Sequence, residues 1–439
     1  MTDNFAVLVE QEQTRLRAEQ AGCNGRAAAV AGAEFSSLGD DRYRLSLPAI
    51  GATFEVDRLR REHSELVGEL SVRCDLPGAR TFDGSLSIAD FNFSSARARS
   101  ERARLLAQRA NTRDLDWLVL VEEFCQRVLQ ADRAGQPAVD LRTLPAPAEE
   151  AVVQVEGLAL LRRHPMVLFG DGGAAKSYLA LYLAGRLAEK GVSVALFDWE
   201  LCGDDHRDRL ERLFPDGMPR LLYARCERPL VYEVDRLRRI VRENGIEFAV
   251  YDSVAFACDG PPEAAEVAGR YFRAVRQIGG GSLHVAHITK GENADQRPFG
   301  STFWHNGARA TWYVHRASES AEGDVIEIGL FNRKSNLGRL RPALGFKVTF
   351  SESRTSFKRM DVADGGPDLA GKLTVRERVT SLLRRGALTV MTIASELDLD
   401  VNTVTQTLNR ELKKGRSFIV LDGENTTRRV GLLERDRLS

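Results

Sequence analysis

Residues 164–177 read HPMVLFGDGGAAKS, and their types and order suit phosphate chemistry. An apolar run from Met166 to Phe169 meets a turn made of Gly170, Asp171, Gly172, Gly173, Ala174 and Ala175. Lys176, Ser177 and Tyr178 follow and open an apolar helical pattern. Strand, loop and helix in that order aim backbone N–H groups and a helix N-terminus at anionic oxygens. The Lys176 ammonium then neutralises phosphate charge, and the Ser177 hydroxyl holds Mg²⁺. The segment therefore predicts a nucleoside triphosphate site, for ATP or GTP. One position departs from the G-x-x-x-x-G-K-[ST] pattern: Ala175 stands where the second glycine belongs, and its Cβ bears on how closely the loop approaches the phosphates.

Four further stations suit hydrolysis. The apolar run Phe248–Tyr251 ends in Asp252, a carboxylate positioned for the Mg²⁺ shell or, more simply, for a strand-end cap. The second strand ends in Phe197-Asp-Trp-Glu200. There Glu200 can orient and deprotonate the attacking water, with Asp198 as the substitute; an exposed acidic turn is the plain alternative. His287, near the end of the run His284–Lys290, can report the γ-phosphate through a hydrogen bond made only with ATP, or be satisfied locally. In Gly300–Arg309 and Asn332–Asn336, either Arg309 or Lys334 can act as a cationic finger in a neighbour's site, or serve structure within its own chain.

Alternating strands and helices from about 151 to 352 must hold these groups. Strands are expected at Val167–Phe169, Ser193–Phe197, Leu221–Ala224, Phe248–Tyr251, Leu283–Ala286, Thr311–His315, Val325–Phe331 and Phe346–Phe350. Helices are expected at Ser177–Glu189, Asp204–Leu213, Glu233–Glu243 and Pro262–Gln277. Buried, β-rich runs alternating with helices predict an α/β fold with a parallel sheet covered on both faces, ending in an antiparallel extension.

Two other segments flank this core. Residues 1–145 carry strand-like pieces (Tyr43–Leu47, Thr53–Val56, Leu66–Arg73, Ser85–Asn92). Two helical patterns follow, Ala96–Ala110 and Asp114–Ala131, the second with Leu118, Val121, Cys125, Val128 and Leu129 as its stripe. The arginines between Arg97 and Arg113 can touch phosphates or form a solvated face, and Ala134–Glu150 reads as a linker. A Gly/Asp-rich break at Asp361–Gly371 leads to residues 371–439. Helices at Val375–Arg385, Met391–Leu397 and Asn402–Lys414 precede strand-like pieces at Ser417–Leu421 and Arg428–Leu433. That is the order of a winged helix-turn-helix, with Asp400 or Asn402 as N-cap of the third helix.

Composition bounds the rest. A chain of 439 residues with 43% hydrophobic and 28% charged residues has room for two or three domains. Lys+Arg and Asp+Glu balance at 62 each, so any nucleic-acid signal is local. The six cysteines (Cys23, Cys74, Cys125, Cys202, Cys226, Cys258) form no C-x-x-C pair and suit reduced thiols in the cytoplasm. No secretory signal and no apolar run of about 18 residues is present, so no membrane span is expected.

The set GDGGAAKS, FDWE, VYDS, VAHITK, PFGS-x-x-W-x-N-x-AR and RKSN resembles the RecA-fold ATPases of the plasmid RepA type, relatives of hexameric replicative helicases and of RecA and KaiC-like proteins. The resemblance covers about residues 151–350. It implies a ring or filament with ATP between subunits, and Lys176 and Ser177 on phosphates and Mg²⁺. It further implies Asp252 as the Walker B acid, Glu200 as catalytic base, His287 as sensor, and Arg309 or Lys334 acting in trans. Ala175 departs from the family's loop and implies slow turnover.

Two regions can meet DNA. In such rings the loop after the sensor strand, Gly291–Phe303, faces the channel, where Lys290 and Arg297 can contact phosphates and Phe299 can stack a base. Residues 371–439 carry 13 Lys/Arg against 9 Asp/Glu, including Lys413, Lys414, Arg416, Arg428 and Arg429. Asn402, Thr403, Thr405, Gln406 and Asn409 offer hydrogen-bonding groups on the third helix. The leading expectation is an oligomeric, ATP-hydrolysing DNA motor. Its rivals are an ATP-controlled regulatory module presenting winged helices to DNA or protein, and a scaffold that binds ATP without appreciable turnover.

Overall fold

The computed structural model of the chain describes residues 33–39, 41–111, 115–135, 138–146, 151–288, 297–317, 324–336, 338–415, 417–424 and 427–433. Contacts divide the chain into two units, Met1–Pro145 and Ala146–Ser439.

In the first unit β1 (Glu34–Gly39), β2 (Arg42–Leu47), β3 (Ala52–Glu62), β4 (Glu65–Cys74) and β5 (Ser85–Asn92) form an antiparallel sheet in chain order. Alternate residues of β3 and β4 point inward, so Phe54, Val56, Leu70 and Val72 are fully buried. Helices α1 (Ala96–Ala110) and α2 (Trp117–Ala134) contribute to the same core. The buried stripe of α2 is Trp117, Leu120, Val121, Phe124, Cys125 and Val128, whereas Leu118 is exposed. The stripe is thus rotated by one residue from the expected one, because Trp117 and Phe124 outweigh Leu118 and Leu129 in apolar area. The arginines of α1 serve packing: Arg99 pairs with Glu122 at 2.9 Å, Arg102 bonds Ser87, and Arg109 bonds the Leu86 carbonyl. Strand β1 is an addition to the expected elements; its short, mostly exposed Glu34–Gly39 pairs only with β2 and carries a weak apolar signal.

The second unit begins with a hairpin, β6 (Val152–Val155) and β7 (Leu158–Leu161). Then come β8 (Pro165–Gly170), α3 (Lys176–Ala188), β9 (Val194–Asp198), α4 (Gly203–Leu213), β10 (Leu221–Arg225), α5 (Leu230–Glu243) and β11 (Phe248–Asp252). A short α6 (Val254–Ala257), α7 (Ala265–Ile278), β12 (Gly281–His287), α8 (Thr302–Gly307), β13 (Ala310–Arg316), β14 (Val325–Ser335), β15 (Leu344–Phe350) and β16 (Thr355–Met360) follow. Nine strands form one sheet in the order β10-β9-β11-β12-β8-β13-β14-β15-β16. The first six run parallel and the last three antiparallel. This is the expected α/β architecture, with β16 as an additional edge strand. Every residue of β8, β9 and β11 is buried, as befits parallel strands covered on both faces. One face packs on α3 through Leu179, Leu183 and Leu187; the other packs on α5 and α7 through Leu237, Tyr271 and Val275.

The Asp361–Gly371 segment is not a loose break. It forms a turn and α9 (Pro367–Gly371), and Val362 and Leu369 are buried in the second of those cores. These two apolar anchors outweigh the surrounding glycines and aspartates. Beyond it lie α10 (Val375–Arg384), β17 (Leu388–Thr389), α11 (Val390–Glu396), α12 (Val401–Lys414), β18 (Phe418–Asp422) and β19 (Arg429–Leu432), the strands ordered β17-β19-β18. Thr374 and Glu377 cap α10 reciprocally, and Asp400 caps α12 by accepting from Thr403 N at 3.1 Å. Val379, Leu383, Val390, Ile393, Val404, Leu408, Phe418 and Val430 make a small core of their own. Asp361 ties it to the preceding segment through Ser381 Oγ at 2.7 Å and Arg384 at 3.1 Å. No helix among the described residues is long and apolar enough to cross a membrane.

Candidate active site

The strands β8, β9, β11, β12 and β13 end at one edge of the sheet, and the candidate site lies there. Register pairs Gly170 with His287 on one side and with Val314 on the other, and Asp252 with Asp198. A cleft of about 230 Å³ opens at this edge. Its lining includes Gly173, Ala174, Ala175, Lys176, Ser177, Tyr178, Glu200, Asp252 and His287. Ligand clefts at the carboxyl ends of parallel strands are the general rule for open α/β sheets.

The loop is shaped by backbone constraints. Gly170 carries no side chain because the Val314 carbonyl oxygen would lie 2.2 Å from its Cβ; the strand β13 sits against it. Gly173 is left-handed at φ 73°, and so is Ala175 at φ 53° and ψ 28°, immediately before α3. Ala175 therefore keeps the glycine-like backbone of the pattern at a cost of about 1–2 kcal/mol. Asp171 and Gly172 are exposed at the loop's tip, and Ala174 is buried.

Lys176 is 5% exposed, and its ammonium donates to the Asp171 carbonyl at 2.6 Å. Burial pulls its pKa down to about 8, against the pull of Asp252, Asp171 and Glu200. Asp252 is 2% exposed; burial raises its pKa to about 6, opposed by the Ser177 hydroxyl and reinforced by Glu200. Its Oδ1 is buried with no hydrogen-bond partner among the described residues. An unpartnered carboxylate oxygen beside a hydroxyl fits a divalent cation, so Ser177 and Asp252 can hold Mg²⁺.

Glu200 and Asp198 divide their expected roles. Glu200 is exposed and lines the cleft. Asp198 is fully buried and accepts from Glu200 N at 3.0 Å, Leu201 N at 3.1 Å, Tyr223 Oη at 3.1 Å and Arg225 Nη1 at 3.2 Å. His206 Nε2 lies 3.5 Å away. Burial pushes the Asp198 carboxyl up, yet the bonds from His206, Glu200 and Leu201 hold it below the ordinary carboxylate range. With its oxygens engaged, Asp198 is an anchor for the turn, which removes it as the substitute base.

His287 is half-buried beside Lys176 and Glu200; burial and the Lys176 charge keep its pKa low. His284, three residues earlier, is enclosed between Tyr271 Oη at 2.8 Å and Ser282 Oγ at 2.9 Å and serves the core. Tyr178 is half-buried, packed edge-on against Phe350, with the Arg209 guanidinium 4.6 Å above its ring.

Arg309 and Lys334 are not brought to the cleft. Both stand at the opposite edge of the sheet: Arg309 N donates to Pro165 O at 2.8 Å, and Lys334 pairs with Thr311. The Lys334 ammonium holds the carbonyls of His305, Asn306 and Ala308 at 2.7, 3.2 and 2.8 Å, so it fastens the end of α8 that precedes Arg309. A place for either at a phosphate site requires a second copy of the chain. Phe299 is 5% exposed against Trp304 and is not available to stack a base; Phe303 is the exposed aromatic of that segment. Arg297 donates to Thr302 Oγ1 at 2.8 Å, and Lys290 with most of the expected channel loop lies outside the described residues.

On α12, Asn402, Thr403, Gln406, Asn409 and Lys413 are exposed. Thr405 is half-buried with its hydroxyl returned to the Val401 carbonyl at 2.7 Å, so it is withdrawn from the reading face. Asn409 accepts from Arg428 at 2.9 Å, Lys414 pairs with Glu411, and Arg429 with Asp422; Arg416 lies outside the described residues.

Two cations near the loop escape a reading of the sequence. Arg209 lines the cleft from α4, where nothing in a helical pattern marks it. Arg316 ends β13 and its Nη1 lies 3.4 Å from the Gly173 carbonyl. Extending the expected strand by one residue past His315 delivers it to the loop.

No protein-family model matches the sequence, and no curated protein does. Among solved structures, the ATPase domain of a replicative helicase is similar over 45% of this chain and 85% of its own length, at 12% identity and a TM-score of 0.37. The flagellar accessory protein FlaH from Methanocaldococcus jannaschii is similar over 44% of this chain and 89% of its own, at 12% identity and a TM-score of 0.33.

Proposed function

We propose that the chain is a RecA-like P-loop ATPase that works as an oligomer on DNA, a helicase-related motor of DNA metabolism. The observation that carries the reading is the meeting of Lys176, Ser177, Asp252, Glu200 and His287 in one cleft at the carboxyl edge of the parallel sheet. Among these, the buried Asp252 Oδ1 is left without a partner.

In this reading the loop N–H groups and Lys176 grip the triphosphate, and ATP binding moves the Lys176 ammonium from the Asp171 carbonyl to phosphate oxygen. Ser177 and Asp252 hold Mg²⁺, which when bound offsets phosphate charge. Glu200, held by the Asp198 turn, orients the attacking water and takes its proton as the bond to the γ-phosphorus forms. His287 hydrogen-bonds the γ-phosphate and loses that bond on hydrolysis. Arg309 or Lys334 of a neighbouring copy supplies the remaining cation. Residues 371–439 act as a winged helix whose exposed Asn402, Thr403, Gln406 and Lys413 meet duplex DNA.

Steady-state ATP hydrolysis with and without single-stranded DNA tests the reading. Stimulation that disappears in Lys176→Ala and Glu200→Gln supports the motor. Failure of the wild-type chain to bind ATP with Mg²⁺ sinks it. One observation favours a second reading, a regulatory scaffold that binds ATP and turns over slowly: the left-handed Ala175 in the phosphate loop. Tight binding with negligible hydrolysis, unaffected by DNA, would select it.

A further inference from the structure

We infer that Arg316 is a phosphate-binding arginine supplied in cis, which recognises the terminal phosphate of a nucleoside triphosphate. The inference rests on the triphosphate site proposed above and adds a residue to it.

Three observations converge. First, β13 is locked beside β8. Its residues Ala310 to Val314 pair with Met166 to Gly170, and the Val314 carbonyl occupies the space a Cβ on residue 170 would need. Arg316, two residues beyond Val314, is therefore delivered to the level of the loop by strand geometry rather than by a flexible segment. Second, its guanidinium already faces the loop: Nη1 lies 3.4 Å from the Gly173 carbonyl and 3.8 Å from the Cβ position of residue 173. A contact of that length is weak and easily exchanged for a charged acceptor, and the side chain is exposed. Third, β12 and β13 flank β8 on opposite sides, and each ends in a group that can meet a phosphate, His287 on one and Arg316 on the other.

The chemistry follows from charge. A triphosphate brings several negative charges to a cleft whose lining holds two cations among the described residues, Lys176 and Arg209. The planar fork of Arg316 adds charge-assisted bonds to phosphate oxygen that a carbonyl cannot match. Because it approaches beside Gly173, near the exposed tip of the loop, the third phosphate is the one it distinguishes, and a diphosphate leaves it on the Gly173 carbonyl.

The test compares ATP and ADP affinity of the full chain, using fluorescent analogues with Mg²⁺, in wild type, Arg316→Ala and Arg316→Lys. Arg316→Ala should lose about tenfold or more in ATP affinity, the scale of one charge-assisted bond, while ADP affinity stays within about twofold. Arg316→Lys should recover part of the loss. Retained ADP binding certifies the fold of the variants. Equal losses for both nucleotides, or none, overturn the inference while leaving the triphosphate site standing; a wild-type chain that binds neither nucleotide removes the site itself. Mixing Arg316→Ala with Glu200→Gln subunits separates cis from trans action. Both groups belong to one chain's cleft, so no activity should return, and recovery on mixing would overturn the cis assignment.

Discussion

The carboxylate of Asp198 accepts the backbone N–H of Glu200 at 3.0 Å, so a fully buried acid sets the direction of an exposed one two residues later. Tyr223, Arg225 and the Leu201 N–H share the same carboxylate. The candidate base is thus aimed by a network spread over β9 and β10 rather than by its own contacts.

Removing that anchor should therefore damage both fold and turnover. Asp198→Ala strands an Arg225 guanidinium and two backbone N–H groups, which costs about 2–4 kcal/mol. Asp198→Asn costs less because it keeps an acceptor oxygen. If Asp198 works through Glu200, the asparagine variant loses kcat by about tenfold or more with KM within about twofold. A matched loss in KM would assign Asp198 to nucleotide binding instead.

Ala175 gives a prediction of the opposite sign. Glycine adopts φ 53° without strain, so Ala175→Gly should raise thermal stability by about 0.5–1 kcal/mol after its greater unfolded-state entropy is counted. Ala175→Val places a β-branched residue in the left-handed region and should lower stability by about 2 kcal/mol or more, weakening ATP binding with it. Chemical denaturation and nucleotide titration of the pair measure both effects. Indistinguishable variants would mean the loop does not hold that backbone conformation.

The pH profile of kcat/KM should have two limbs. Below about pH 6 the free protein's Asp252 takes up a proton and loses its hold on Mg²⁺; above about pH 8 Lys176 gives up its proton and its phosphate charge. Activity therefore peaks between them, and a profile flat from pH 5 to 9 would contradict the assignment. The sign for stability is fixed too. The folded protein binds the Asp252 proton more tightly than the unfolded chain, so burial of this carboxylate costs stability above pH 6 and less as pH falls through 6. The melting-temperature difference between Asp252→Asn and wild type, without nucleotide, should favour the variant at pH 7.5 and shrink toward pH 5.

Asp361 is the third acid whose environment predicts a phenotype. Burial would raise its pKa, but bonds from Ala363 N, Ser381 and Arg384 depress it, so the tie it makes is complete above the ordinary carboxylate range and is lost in acid. Asp361→Ala should loosen residues 371–433 from the rest of their unit. Limited proteolysis should then cut between residues 361 and 375 faster than in wild type, with ATP hydrolysis without DNA little changed. Unaltered cleavage would show that the apolar anchors Val362 and Leu369 hold the segment alone.

Much of this protein is legible before any fold is known. The loop from Gly170 to Ser177 announces itself because phosphate chemistry demands particular residue types at fixed spacing in one continuous segment. The buried strands β8, β9, β11 and β12 are readable because a parallel sheet covered on both faces requires unbroken apolar runs. Asp252 and Glu200 are readable because each follows such a run.

What only the tertiary structure decided are relationships between segments far apart in the chain. Asp198 and Glu200 look interchangeable in FDWE, and Tyr223 and Arg225, more than twenty residues away, make one an anchor and leave the other free. Phe299 reads as a base-stacking aromatic until Trp304 covers it. Arg309 and Lys334 look like site residues until strand register sets them at the far edge, while the same register carries Arg316 to the loop. Composition and periodicity report which residues a strand or helix needs; they do not report which strands become neighbours, and it is neighbours that bury, pair or release a charged side chain.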